Sequence, residues 1–105
     1  MSIFRRRTVS VPRARQLIAA GYTLLDVRSE KEWNVGHVEG ARHIPVGDLE
    51  SRLGDLPIQT PIVALCHSGI RSLFAARTLA KHGYSVVSVR GGMIAWNRTR
   101  RSAGA

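Results

Sequence analysis

The 105-residue chain carries one cysteine, Cys66, and the residues that follow it could put that thiol to work. The segment Cys66-His67-Ser68-Gly69-Ile70-Arg71-Ser72 comes directly after the apolar run Ile62-Val63-Ala64-Leu65 and leads into a helix-forming stretch. A thiol at such a junction faces unpaired backbone N–H groups and the positive end of a helix dipole. Gly69 lets the loop bend so that several amides turn inward, and Arg71 adds a cation at the mouth. Both features favour the thiolate, which is the nucleophilic form. A lone cysteine can equally be an inert core residue. These neighbours instead mark Cys66 as a candidate catalytic nucleophile, with His67, Ser68, Gly69, Ile70, Arg71 and Ser72 as an anion-binding loop. His67 either lends a positive charge or points to solvent. Ser68 and Ser72 can donate to an anion, and Ser72 is also suited to cap the helix.

The elements that must hold this loop alternate between helix and strand. Ser10 can cap a helix with Pro12 in its first turn and Leu17 and Ile18 facing the core, closed by Gly21. Thr23 to Val27 reads as a short buried strand, and Glu30 to Val35 as a turn or two of helix. Ile44-Pro45 is a loop, because proline restrains the residue before it. Leu49, Leu53 and Leu56 fall at helical spacing. Pro61 opens the strand Ile62 to Leu65, whose unbroken apolar run predicts burial on both faces. A helix is expected from about Ser72 to His82, stopped by Gly83, then a strand from Val86 to Val89. Gly91-Gly92 reads as a tight turn before a last short helix, Met93 to about Asn97. Strands alternating with helices imply an α/β domain with a parallel sheet covered on both faces. In such sheets ligands bind beyond the carboxyl ends of the strands, where Cys66 stands.

Composition bounds the function. The length suits one domain, expected over residues 9–97 between a basic N-terminal segment (1–8) and a frayed basic tail (98–105). Hydrophobic residues make up 44% and charged residues 22%, the profile of a globular protein. No apolar run is long enough to span a membrane, and the basic start lacks the apolar stretch of a secretory signal. A cytoplasmic monomer is the expectation. Net charge is +9, a field that attracts anions. Its clusters, Arg5-Arg6-Arg7 and Arg98, Arg100 and Arg101, read as solvated ends. No basic stripe interleaved with aromatics points to nucleic acid.

Three segments together resemble the rhodanese family. Cys-x-x-Gly-x-Arg-Ser after an apolar strand resembles its active-site loop. Asp26-Val27-Arg28, Glu32-Trp33, Gly36-His37-Val38-Glu39-Gly40-Ala41 and Ile44-Pro45 resemble its N-terminal signature, and Gly91-Gly92-Met93-Ile94-Ala95-Trp96 its C-terminal one. The resemblance runs from about Val9 to Trp96. It implies a rhodanese-like three-layer fold, a five-stranded parallel sheet with helices on both faces. It also implies a sulfurtransferase that takes sulfane sulfur from a small anion such as thiosulfate, holds it as a Cys66 persulfide, and yields it to cyanide, a thiol or an acceptor protein. No metal or organic cofactor is implied. Asp26, Arg28, Glu32 and His37 would be structural members of the signature; Asp26 and Arg28, at the end of a strand, are read as a structural salt bridge rather than as substrate contacts.

Two rival chemistries share the loop. A cysteine phosphatase or arsenate reductase needs five residues between Cys and Arg to ring a tetrahedral oxyanion. Here four intervene, His67 to Ile70, a smaller ring that suits one sulfur atom. A persulfide carrier in a sulfur-trafficking pathway would use the same loop with a different donor and acceptor.

Overall fold

A computed structural model describes residues 8–57 and 60–104. The basic cluster Arg5-Arg6-Arg7 lies outside them. The chain runs β1 (Thr8–Val9), α1 (Val11–Ala19), β2 (Thr23–Asp26), α2 (Glu30–Val35), β3 (Arg42–His43), two 3-10 turns (Val46–Asp48 and Glu50–Asp55), β4 (Ile62–Leu65), α3 (Ile70–Lys81), β5 (Val86–Val89) and α4 (Gly92–Gly104). The five strands form one parallel sheet in the order β1-β5-β4-β2-β3. This is the α/β architecture expected from the sequence.

β4 is central because its residues suit neither face to water. Ile62, Ala64 and Cys66 pack with Ala75, Ala76 and Leu79 of α3 and with Leu49 and Leu56, which flank the second 3-10 turn. Val63 and Leu65 point the other way, onto Val11, Ala14 and Leu17 of α1 and Trp96 of α4. The period of two along a strand thus divides the core into two layers, and Cys66 belongs to the α3 layer. Helix α1 begins as expected, with Ser10 Oγ accepting from the Arg13 amide at 3.3 Å.

Four elements differ from what the local sequence suggests. Helix α3 starts at Ile70 rather than Ser72, after Gly69 at φ +109°. Arg71 and Ser72 therefore lie inside its first turn, and no side chain caps it. Helix α4 continues to Gly104, past the Asn97 at which the sequence suggests an end. Nothing between Arg98 and Ala103 breaks a helix: Arg and Ala are strong helix formers, and cations belong near a helix C-terminus. The edge strands β1 and β3, two residues each, are too short to show a period of their own.

Gly91 and Gly92 are more than a turn. Both have positive φ, and a Cβ on Gly92 would collide with the carbonyls of Cys66 and His67. The Gly92→Ala variant should therefore lose about 2 kcal/mol or more of stability, from overpacking and the left-handed backbone together. Urea denaturation followed by circular dichroism measures this; an unchanged midpoint would show that the loop gives way freely.

Candidate active site

The site stands where β4 and β5 end. The chain leaves β4 at Leu65 and must enter α3 by Ile70, so the loop curls tightly around the Cys66 side chain. The Gly69 amide donates to Cys66 Sγ at 3.1 Å. The loop's carbonyls are drawn outward by the start of α4: the Met93 amide donates to Cys66 O at 2.7 Å and the Ile94 amide to His67 O at 3.2 Å. With these two acceptors engaged, the loop presents the Gly69 amide to the sulfur. Gly92 makes that approach sterically open, and Gly69 passes against the Gly91 amide, where a Cβ would sit at 3.3 Å.

Beneath the thiol lies a polar pair. Ser72 Oγ is 3.4 Å from Cys66 Sγ, 3.2 Å from the Gly69 carbonyl that it can donate to, and 2.7 Å from Ser88 Oγ. Cys66 is 1% exposed, and Ser72 and Ser88 are fully buried. Ser72 is thus not the helix cap that the sequence suggests. Entering α3 two residues early turns it down onto the sulfur. Ser88 escapes sequence reasoning. Its one signal is a polar residue between Val87 and Val89 in an otherwise apolar strand.

Arg71 also lies elsewhere than expected. Its guanidinium is not free in the loop but binds Glu32 of α2 in a two-pronged pair, Nη1 to Oε1 at 2.6 Å and Nη2 to Oε2 at 2.8 Å. The hydrogen bond from Arg71 holds the Glu32 carboxyl well below the usual carboxylate range, against the opposing effect of burial. Arg71 is held in its charged form chiefly by that same bond, with smaller electrostatic support from Glu32, Cys66 and Asp26. Glu32 is fixed in turn by a capping box: Ser29 Oγ accepts from the Glu32 amide at 3.2 Å, and Glu32 Oε1 accepts from the Ser29 amide at 2.9 Å. The pattern Ser29-x-x-Glu32 is a sequence signal for that box. Nothing local announces a partner 39 residues away.

The other signature residues hold α2 in place. Asp26 and Arg28 are buried and paired, Arg28 Nε to both carboxylate oxygens at 3.0 Å and Nη2 to Oδ2 at 2.8 Å. This is the salt bridge expected from their place at the end of a strand. Arg28 Nη2 reaches on to the Gly36 carbonyl at 2.8 Å, at the end of α2. The His37 and His43 rings both lie parallel to Trp33, with centroids 3.5 and 4.6 Å away. His37 Nδ1 is 2.9 Å from the Trp33 carbonyl, and His43 Nε2 is 2.8 Å from the Arg28 carbonyl. His37 thus packs on α2 and makes no contact with the thiol. His67, Ser68 and Ile70 are exposed around the loop. Beside His67 opens a cavity of about 730 Å³ that runs between α2 and α4. Among the described residues, no cluster of His, Cys, Asp or Glu is arranged to hold a metal ion, and no helix is long and apolar enough to cross a membrane.

Residues 10–99 match the rhodanese-like domain model. The chain is 32% identical over 100 residues to the thiosulfate sulfurtransferase GlpE of Ectopseudomonas mendocina, covering 94% of this chain and 90% of that one. It is 43% identical over 74 residues to the putative sulfur carrier protein YrkF of Bacillus subtilis, covering 70% of this chain but 40% of that longer protein. The human single-domain sulfurtransferase TSTD1 superposes with a TM-score of 0.71 at 32% identity, over 82% of this chain and 89% of that one.

The Glu32–Arg71 pair gives a pH dependence with a definite sign. Glu32 has a depressed folded-state pKa, so its contribution to stability is complete above the ordinary value of 4.5 and is lost as pH falls below it. The melting temperature of wild type should exceed that of Glu32→Gln at neutral pH, and the gap should narrow steadily below pH 4.5. Parallel curves from pH 7 to pH 3, measured by thermal melts across that range, would mean that the carboxylate contributes nothing through its charge.

Proposed function

The chain belongs to the rhodanese-like domain family, and from that premise we propose that it moves sulfane sulfur through a persulfide on Cys66. The Cys66 thiolate attacks the outer sulfur of thiosulfate. The sulfur–sulfur bond to the sulfonate breaks, sulfite leaves with the electron pair, and Cys66–S–S⁻ remains. A thiolate or cyanide then attacks the terminal sulfur, and Cys66 departs as a thiolate. This covalent route divides one transfer into two displacements. It needs no oxidant, metal or organic cofactor.

The observation that carries the reading is the environment of Sγ. The sulfur sits at the floor of a one-loop ring, with the Gly69 amide donating to it at 3.1 Å; the thiol donates to the Ser72 hydroxyl 3.4 Å away, which can donate in turn once the sulfur is an anion. Fixed donors aimed at an anionic sulfur act as an oxyanion hole does for oxygen. His67, Ser68 and Ile70 form the rim through which the substrate enters. The ring is one residue smaller than a tetrahedral phosphate or arsenate requires, which argues against the phosphatase reading.

A second reading, persulfide carrier, is favoured by the Glu32–Arg71 pair. With its charge already matched, Arg71 offers a thiosulfate dianion less than a free guanidinium would. A persulfide handed over by a protein donor needs no such cation. The similarity to a putative sulfur carrier points the same way. The small anionic donor, the thiol or protein acceptor and a cytoplasmic place of action belong to this proposal as a set.

Intact mass after incubation with thiosulfate, or with a cysteine desulfurase and cysteine, should show a gain of one sulfur on the wild type and none on Cys66→Ser. The Ser variant should also lose thiosulfate–cyanide activity while keeping its circular dichroism spectrum; substantial residual activity would remove Cys66 from the mechanism. Much faster loading from the desulfurase than from thiosulfate would favour the carrier. Arg71→Ala should raise the thiosulfate KM roughly tenfold, the scale of one charge-assisted contact. An unchanged KM with a lowered melting temperature would make Arg71 an anchor for α2 alone.

A further inference from the structure

The chain carries a net charge of +9, yet the cavity that opens beside the Cys66 loop does not share it. Histidines aside, the charged residues of its wall are Arg15, Arg28, Glu32 and Glu39. Asp26 is paired with Arg28, and Arg71 with Glu32. Among the described residues, three cations thus stand against three carboxylates at this mouth. The field that draws anions to the molecule is cancelled where they would react.

Glu32 is the carboxylate on which this balance turns. Asp26 is fully buried and does not line the cavity, and Glu39 belongs to the loop between α2 and β3. Glu32 lines the cavity and also holds Arg71. Its two oxygens take Nη1 and Nη2 together, the fork with which a guanidinium grips an oxyanion. Arg71, kept charged chiefly by that bond, also lies within electrostatic reach of Cys66. A thiosulfate dianion beside the sulfur would present oxygens to the same fork. Glu32 fills that place from within the chain, and its carboxyl stays ionised well below the usual carboxylate range.

We propose that Glu32 is a specificity-determining residue: its carboxylate holds Arg71 in place of a substrate anion and turns the loading step away from small dianionic donors, toward sulfane sulfur that arrives with one negative charge or none, as in a persulfide presented by a donor thiol. This rests on the persulfide reading above and adds the donor's chemical class and the residue that selects it. Glu32 takes no part in bond making. The Cys66 thiolate still attacks the outer donor sulfur, the donor's own bond to that sulfur breaks, and the leaving group departs with the electron pair.

The test compares two donors with the same reacting bond and different charge: thiosulfate, a dianion, and methanethiosulfonate, a monoanion. Both yield their outer sulfur to a thiolate; sulfite leaves from the first and methanesulfinate from the second. The variant is Glu32→Gln, because glutamine suits the capping box as glutamate does and can still hydrogen-bond Arg71, while the charge is gone. Loading is verified by intact mass, and kcat/KM is measured for each donor with cyanide as acceptor. Glu32→Gln should raise kcat/KM for thiosulfate roughly tenfold, through KM, the scale of one charge-assisted contact. Coulomb energy is proportional to the ligand's charge, so the gain with methanethiosulfonate should be roughly threefold. An equal change for both donors, no change, or a loss with thiosulfate would overturn the proposal.

Should neither protein take up sulfur from either donor, the persulfide reading fails and Glu32 is judged separately by alkylation of Cys66, the sole thiol. Iodoacetate and iodoacetamide both alkylate a thiolate with loss of iodide and differ by one negative charge. The ratio of their rates, iodoacetate over iodoacetamide, should rise roughly threefold in Glu32→Gln. A ratio equal to that of wild type overturns the selective role of Glu32.

Discussion

Two hydrogen bonds from the start of α4 decide the character of the site. A loop of a few residues between a strand and a helix has as many carbonyls as amides, and left alone it would surround a sulfur with both. The Met93 and Ile94 amides take the Cys66 and His67 carbonyls, so these two acceptors are engaged with α4 while the Gly69 amide reaches the sulfur. Much else follows from that requirement. Gly92 must lack a side chain so that α4 can come close, and Gly69 must turn through positive φ to bring its amide beneath Sγ. The central sheet must deliver β4 and β5 side by side, since the loop follows one and α4 follows the other.

A second support comes from the opposite side. The buried Asp26–Arg28 pair, the Arg28 bond to the Gly36 carbonyl and the stacked Trp33, His37 and His43 rings fix α2 against the end of β2. Helix α2 is short and buries no residue fully, so it depends on these polar and aromatic ties for its position. What it delivers is Glu32, already oriented by its capping box, to meet Arg71 on the first turn of α3. A partly exposed ion pair adds little to stability by itself. Its geometry matters more, because a bidentate guanidinium–carboxylate pair fixes both direction and distance.

The parts of this design that show in the sequence are those written in local pattern. The β4 run, the Ser10 cap with Pro12, and the Cys66–Gly69 junction each follow from a few adjacent residues. The five-strand count is legible only through the resemblance, because β1 and β3 are two residues long and pair only at the sheet edges. Where local pattern misleads, a distant partner is the reason. Ser72 looks like a cap until Ser88, on strand β5, meets it from below. Arg71 looks like a free cation until Glu32 arrives from α2. The last helix looks short because a run of arginines resembles a tail, although arginine itself sustains a helix well.

The Ser72 hydroxyl has one proton to give and more than one claimant. While Cys66 keeps its own proton, the thiol can donate to Ser72 Oγ, and Ser72 is free to donate to the Gly69 carbonyl. Once the sulfur is an anion it has no proton to offer and needs one. Ser72 can then turn its hydroxyl hydrogen toward Sγ while Ser88 donates to Ser72 Oγ. The Gly69 carbonyl loses its side-chain donor in that exchange, at the residue whose amide also serves the sulfur. The charge on a single atom is thereby recorded as the rotation of one O–H bond. The fold accommodates both bookkeeping states of the sulfur without displacing a heavy atom.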